Sequence, residues 1–174
     1  MHRVIRTSLF SLCLAIAAAV ISVGIILAGA LSVSPAVVAS GSSPFAGCTV
    51  GAQLGSVLYV NSEEEPRVAV NPANASNIIT VWQQDRWSDG GAHGLVAGVS
   101  HDGGATWNQR WAHFSTCAGG TPANGGDFER SSDPWVSFSP NGVAHQISLS
   151  VSFSTGANAV LVSRSTDGAH GRSH

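Results

Sequence analysis

The feature that most constrains this chain is a segment that occurs twice. The first copy reads EPRVAVNPANASNIITVWQQDRW and then GLVAGVSHDGGATW; the second reads SDPWVSFSPNGVAHQISLSVSF and then NAVLVSRSTDG. Pro66 and Pro134 are 68 residues apart, as are Pro72 and Pro140, while Ser100/Ser165 and Asp102/Asp167 are each 65 apart. Each copy has an X-Pro start, a short apolar strand, a Pro or Asn-Gly turn, two further strands and an Asp-Gly turn. A unit recurring at such a period is one supersecondary element that buries its faces against its neighbours.

The period inside each copy is that of strands. Val68-Ala69-Val70, Ile78 to Trp82 and Leu95 to Val99 are short branched runs bounded by Gly, Asn and Pro. Trp135, Ser137 and Ser139 alternate with Val136 and Phe138, and Ile147, Leu149 and Val151 alternate with serines. Such alternation is the mark of a half-buried pleat. Asn141-Gly142 is a hairpin signal, because both residues tolerate positive φ. No stretch after Pro35 has a helical period. The expected fold is all-β, a partial β-propeller of about two four-stranded blades.

SHDGGATW, Ser100 to Trp107, sets Ser, His and Asp side by side, yet it reads as a turn. Gly103 and Gly104 supply positive φ, and Asp102 accepts from amides of its own turn. Consecutive side chains on a strand diverge, whereas a working Ser-His-Asp group is assembled from separated positions.

The N-terminus is of another kind. Arg3 and Arg6 precede an apolar run from Leu9 to Val33, the pattern of a secretory signal. Ala28-Gly29-Ala30 fits the small-x-small cleavage pattern, and Val37-Val38-Ala39 is a second site. The run is also long enough to span a bilayer, which takes roughly 20 apolar residues. The expected organisation is a signal peptide or membrane anchor over 1–39, a lead-in over 40–62 and the repeated region over 63–174. Export makes the protein secreted or extracellular, touching membrane only through an uncleaved N-terminal segment. All ten acidic residues follow residue 40, and all eight basic residues are arginine. That balance lacks the clustered basic face of a nucleic-acid binder. Cys13 falls in the apolar run, leaving Cys48 and Cys117 as an expected disulfide.

SHDGGATW resembles the Asp-box, the S-x-D-x-G-x-T-W turn of BNR-repeat propellers, carried here by Ser100, Asp102, Gly104, Thr106 and Trp107. Ser165 and Asp167 begin a second box that continues AHGRSH instead of reaching Thr-Trp. The wider segment is similar to sialidases (exo-α-neuraminidases), whose propellers have six blades. Arg67 in EPRVAVNP stands where their F-R-I-P arginine grips the sialic acid carboxylate, although Pro66, Val68 and Ala69 depart from that motif. Arg86 in WQQDRW matches the arginine of the E-x-R stretch downstream of it. Asp89 matches the general acid/base, with Asp85 as runner-up. The resemblance also implies a Tyr-Glu pair and further arginines from later blades; the only tyrosine here is Tyr59.

The implied function is the N-terminal part of a secreted glycoside hydrolase releasing terminal sialic acids, inactive as this chain alone. A non-catalytic extracellular propeller that binds glycans or proteins is the alternative. Sialylated or other glycans are the implied partners. Trp87, Glu129 and Arg130 join Arg67 and Arg86 as candidate substrate contacts, since GGDFERSSDPW is a glycine-bounded loop of the sort that lines propeller pockets. Asp127 is in the same loop. Asp133 repeats the place of Glu65 before an X-Pro step, which gives it a local strand-start role. Arg67 has an equally plain alternative as a partner of Glu65 or Asp133, and Arg86 and Asp89 as a solvated loop. No cofactor is implied, and His93, His101, His113 and His145 show no metal-ligand spacing.

Overall fold

The computed structural model describes residues 33–166 and 172–173. The chain divides into two compact units, Met1–Ala36 and Val37–His174, and every described strand belongs to the second. The signal or anchor segment up to residue 32, with Ala28-Gly29-Ala30, lies outside the described residues, and so does Asp167 of the second Asp-Gly turn. No helix among the described residues is long and apolar enough to cross a membrane.

The architecture is all-β and antiparallel. Its strands are β1 (Leu58–Val70), β2 (Ile78–Trp87), β3 (Ala92–Ser100), β4 (Asn108–Trp111), β5 (Arg130–Phe138), β6 (Ala144–Ser152), β7 (Ala157–Ser165) and β8 (Arg172–Ser173). The one described helix is a 3-10 turn, Thr116–Ala118. Strands β1 to β4 pair in sequence order, with Val99 opposite Asn108 at the last hairpin, and β5 to β8 do the same. The two four-stranded meanders are linked by one bridge, Ala92 to Ser131.

The meanders also pack on each other through side chains. Ile79, Val81, Ala97 and Val99 of the first meet Val136 and Ala144 of the second. Leu95, Ala112, Phe114 and Leu161 extend that core. The opposite face of the first meander is covered by the lead-in segment, where Phe45 packs with Trp82, Val96 and Ala118. Gly94 allows this approach, because a Cβ there would meet the Phe45 ring at 2.7 Å. Covered on both faces, β3 is buried along its whole length.

Glu65 and Asp133 do not start strands. Both lie inside strands, at irregularities of register between Glu64 and Arg67 and between Ser132 and Trp135. Both have left-handed backbones, with φ of 55° and 50°. Proline lacks the N–H that a ladder needs, so the X-Pro steps fall at bulges.

The expected disulfide is present: Cys48 and Cys117 are bonded, with their Cα atoms 5.8 Å apart. It joins the lead-in to the 3-10 turn.

Candidate rim site around Arg67 and Trp135

The Ser100–Trp107 turn connects β3 to β4 and closes on itself. Ser100 Oγ donates to Asp102 Oδ1 at 2.8 Å and accepts from the Gly104 amide at 2.8 Å. Thr106 donates its amide to Asp102 Oδ1 at 2.9 Å and its hydroxyl to Oδ2 at 2.6 Å. Trp107 Nε1 donates to the Gly104 carbonyl at 3.0 Å, and Gly103 and Gly104 have φ of 74° and 93°. The Thr106 hydroxyl and amide, then Ser100, pull the Asp102 carboxyl down to about 2. Every hydroxyl and carboxylate named is spent on the turn. Ser165 occupies the matching place at the end of β7.

Arg130 is committed through all three guanidinium nitrogens and both ring faces around it. It is wholly buried, with its guanidinium 4.8 Å from the Trp87 ring and 4.6 Å from the Phe153 ring. Nε and Nη2 donate to the Gly51 carbonyl at 2.8 and 2.6 Å. Nη1 donates to the Gly90 carbonyl at 2.5 Å and to Asp89 Oδ1 at 2.8 Å. The hydrogen bond from Arg130 holds the half-exposed Asp89 carboxyl below its ordinary value. Trp87 is also buried, and its edge meets His93 with centroids 5.5 Å apart. Glu129 accepts from the Phe153 amide at 2.8 Å and from the Ser154 hydroxyl, which lowers its carboxyl. Arg130, Trp87 and Glu129 therefore hold loops together, whereas Asp127 is exposed.

Asp85 is buried and fixed from several sides. Ser43 Oγ donates to Oδ2 at 2.6 Å, the Asn61 amide to Oδ1 at 2.8 Å, and His93 Nδ1 lies 3.3 Å from Oδ2. The serine here bonds the aspartate and not the far nitrogen of the histidine, so no nucleophile relay exists. Burial lowers the pKa of His93, against the opposing pull of Asp85.

The remaining candidates meet at the bulges. Arg86 pairs with Glu64 at 3.1 Å and donates from Nη1 to Gln83 Oε1 at 2.7 Å. The buried Gln83 donates in turn to Glu65 Oε2 at 2.5 Å and to Ser132 Oγ at 3.3 Å. A polar chain thus runs from Glu64 across β2 to both bulges. Arg67 differs, since among the described residues no carboxylate pairs with it. It is exposed, donates from Nη1 to the Pro66 carbonyl at 3.0 Å, and has its guanidinium 5.6 Å from the exposed Trp135 ring. A cleft of ≈ 290 Å³ adjoins it, lined by Val38, Ala39, Ser40, Glu63, Pro66, Thr80 and Trp82.

The structure thus separates the candidates into two groups: Asp89, Arg130 and Trp87 in one, Arg86 with the Gln83 chain beside Arg67 in the other. Sequence reasoning does not single out Trp135 for the site. Its signal lies in the repeat, because Arg67 and Trp135 each come directly after one of the two equivalent prolines, Pro66 and Pro134. Face-to-face packing of the repeats sets these equivalent positions side by side.

No known protein family, curated protein or solved structure matches the chain.

Proposed function

We propose that these two meanders are adjacent blades of an Asp-box propeller of the sialidase type, exported and acting on sialylated glycans. The observation that carries this reading is the pairing of an exposed Arg67, which no carboxylate among the described residues partners, with an exposed Trp135. A planar guanidinium binds both oxygens of a carboxylate at once, and an indole offers an apolar face to a sugar ring. In this reading Arg67 takes the sugar carboxylate, and Asp89, held in the other group by Arg130, is the acid/base that the sialidase resemblance implies. The hydrogen bond from Arg130 lowers the Asp89 carboxyl, which moves it further from the neutral range where a proton-transfer group works best.

Three further observations support the propeller. The Asp-box turn joins the third and fourth strands of its meander. The outward face of the second meander carries Val160 and Val162, both exposed, as a face that packs on a further blade does. The disulfide fits an oxidising compartment.

Binding without hydrolysis is favoured by one specific contact, the Asp89–Arg130 pair, which ties the candidate acid/base to a structural residue. The two readings separate in one experiment on the full chain. Saturation-transfer NMR with sialyllactose and with lactose, run beside a fluorogenic sialoside assay, reads binding and turnover independently. Sialyllactose is expected to bind and lactose not. Arg67→Ala is expected to weaken binding about 10- to 100-fold, the 1.5–3 kcal/mol worth of a hydrogen-bonded charge. Equal signals from the two sugars would overturn the acidic-sugar reading. Turnover that survives Asp89→Asn removes Asp89 from the mechanism.

A further inference from the structure

His93 carries an unexplained atom. The residue is 1% exposed, its Nδ1 faces Asp85 Oδ2 at 3.3 Å, and its Nε2 is buried without a hydrogen-bond partner. Buried polar atoms are almost always partnered, so an orphan calls for a reason. Beside this ring lies the Cys48–Cys117 disulfide: the two sulfurs and one ring nitrogen of His93 are all within 4.8 Å of one another. Because Nδ1 is committed to Asp85, Nε2 is the nitrogen available to that corner.

We propose that reduction of the Cys48–Cys117 bond opens a zinc site with Cys48 Sγ, Cys117 Sγ and His93 Nε2 as ligands and Asp85 as the carboxylate that orients the histidine. Zinc holds thiolates at about 2.3 Å and imidazole nitrogen at about 2.0–2.1 Å in tetrahedral geometry, so its donors stand about 3.5–3.8 Å apart. The two sulfurs and one ring nitrogen of His93 lie at most 4.8 Å apart, about 1 Å beyond that spacing. Rotation of two cysteine side chains, once unbonded, supplies the rest. Nδ1–H pointing at Asp85 places the lone pair on Nε2, the carboxylate–histidine–metal arrangement that fixes tautomer and ring orientation. Asp85 is itself held by Ser43 Oγ and the Asn61 amide, so the ring has little freedom to turn away.

Charge and softness agree with this choice of metal. Two thiolates and one divalent ion sum to zero, which avoids placing net charge in a half-buried corner. Thiolate and imidazole donors select zinc over magnesium or calcium. Cys48 and Cys117 are only partly buried, leaving the fourth position to water.

The chemistry balances with a dithiol as the named reductant. It gives two electrons and two protons to the disulfide, yielding two cysteine thiols and its own cyclic disulfide. Zinc then displaces both thiol protons as two Zn–S bonds and one Zn–N bond form. A small-molecule disulfide reverses the sequence: it takes two electrons from the two thiolates and two protons from water to become two thiols, leaving the Cys48–Cys117 bond and free zinc. The corner is therefore a redox-controlled metal site, independent of the glycan reading.

The test uses the full chain, reduced anaerobically, freed of reductant and titrated with Co²⁺ and then Zn²⁺. Reduced wild type is expected to bind one Co²⁺ with thiolate charge-transfer and tetrahedral d–d bands, which zinc displaces; oxidised protein is expected to show neither. His93→Ala is expected to lose at least about tenfold in affinity, and Asp85→Asn about 10- to 100-fold. Near-UV circular dichroism of each oxidised variant checks its fold, and His93→Gln replaces His93→Ala if the smaller residue disrupts it. Absence of tetrahedral cobalt in the reduced protein would overturn the proposal. So would equal binding by the histidine variant, the result expected from two thiols on a loosened chain.

Discussion

Asp102 shows how much one residue does when its partners are local. It accepts from Ser100 and twice from Thr106, using both oxygens, a set that the neutral acid, with one oxygen protonated, cannot keep whole. Its folded pKa of about 2 lies below the ordinary 3.8. The ionised group is thus favoured in the folded state, and its stabilisation is complete above pH 3.8 and lost as pH falls through about 2. Asp102→Asn is expected to lower the urea midpoint at neutral pH, with the gap to wild type closing between pH of about 4 and about 2. A gap that stays constant with pH assigns the effect to shape instead of charge. This turn was legible because every partner lies within a few residues. Arg130 was not, since its contacts come from Gly51, Asp89, Gly90, Trp87 and Phe153. A composition of glycine, aspartate and arginine reads as a surface loop, and only tertiary placement turns its arginine inward.

Strands give a similar lesson about periodicity. The alternation of Ile147, Leu149 and Val151 with serines identified a two-faced strand without saying which face meets the first meander. In β6 the serines turn inward: Ser148 and Ser150 are fully buried, with their hydroxyls 3.1 Å apart, and Ser150 Oγ donates to the Phe114 carbonyl at 2.8 Å. Ile147 and Leu149 lie on the other face, opposite Val162 and Val160 of β7. Small hydroxyl side chains suit a narrow interface where a carbonyl needs a donor, and the larger apolar groups form the outer face. Ser150→Val is therefore expected to destabilise by about 1–3 kcal/mol, since it leaves the Phe114 carbonyl unpaired in the interior. Ile147→Thr on the outward face is expected to cost about 1 kcal/mol or less. Chemical denaturation of both variants checks the contrast, and a reversed order would assign the inner face wrongly. The bulges escaped notice for a related reason. An X-Pro step reads as the beginning of an extended run, while a bulge inside a strand depends on what the partner strand does.

At the scale of the molecule, two meanders sharing one backbone bridge need other ties. The interleaved core is one, and the lead-in is the other. Ser43 and Asn61 bond Asp85 of β2, the Gly51 carbonyl accepts from Arg130 of β5, and Phe45 fills the face left open by Gly94. A lead-in segment rich in Gly and Ser, without a strand-like alternation, thus braces both repeats. The disulfide pins this brace to the 3-10 turn across a separation of 69 residues. In the chain-entropy account, a closed loop of that length contributes about 4 kcal/mol by restricting the unfolded chain. Typical domains have only about 5–15 kcal/mol in total. The double variant Cys48→Ser/Cys117→Ser is accordingly expected to lose about 4 kcal/mol. Because the brace touches both meanders, wild type is expected to unfold in a single transition seen alike by near- and far-UV circular dichroism. If the variant matches wild type in midpoint, the lead-in is held by Arg130 and Phe45 without the covalent link. If its two signals separate, the disulfide is what makes the meanders unfold as one.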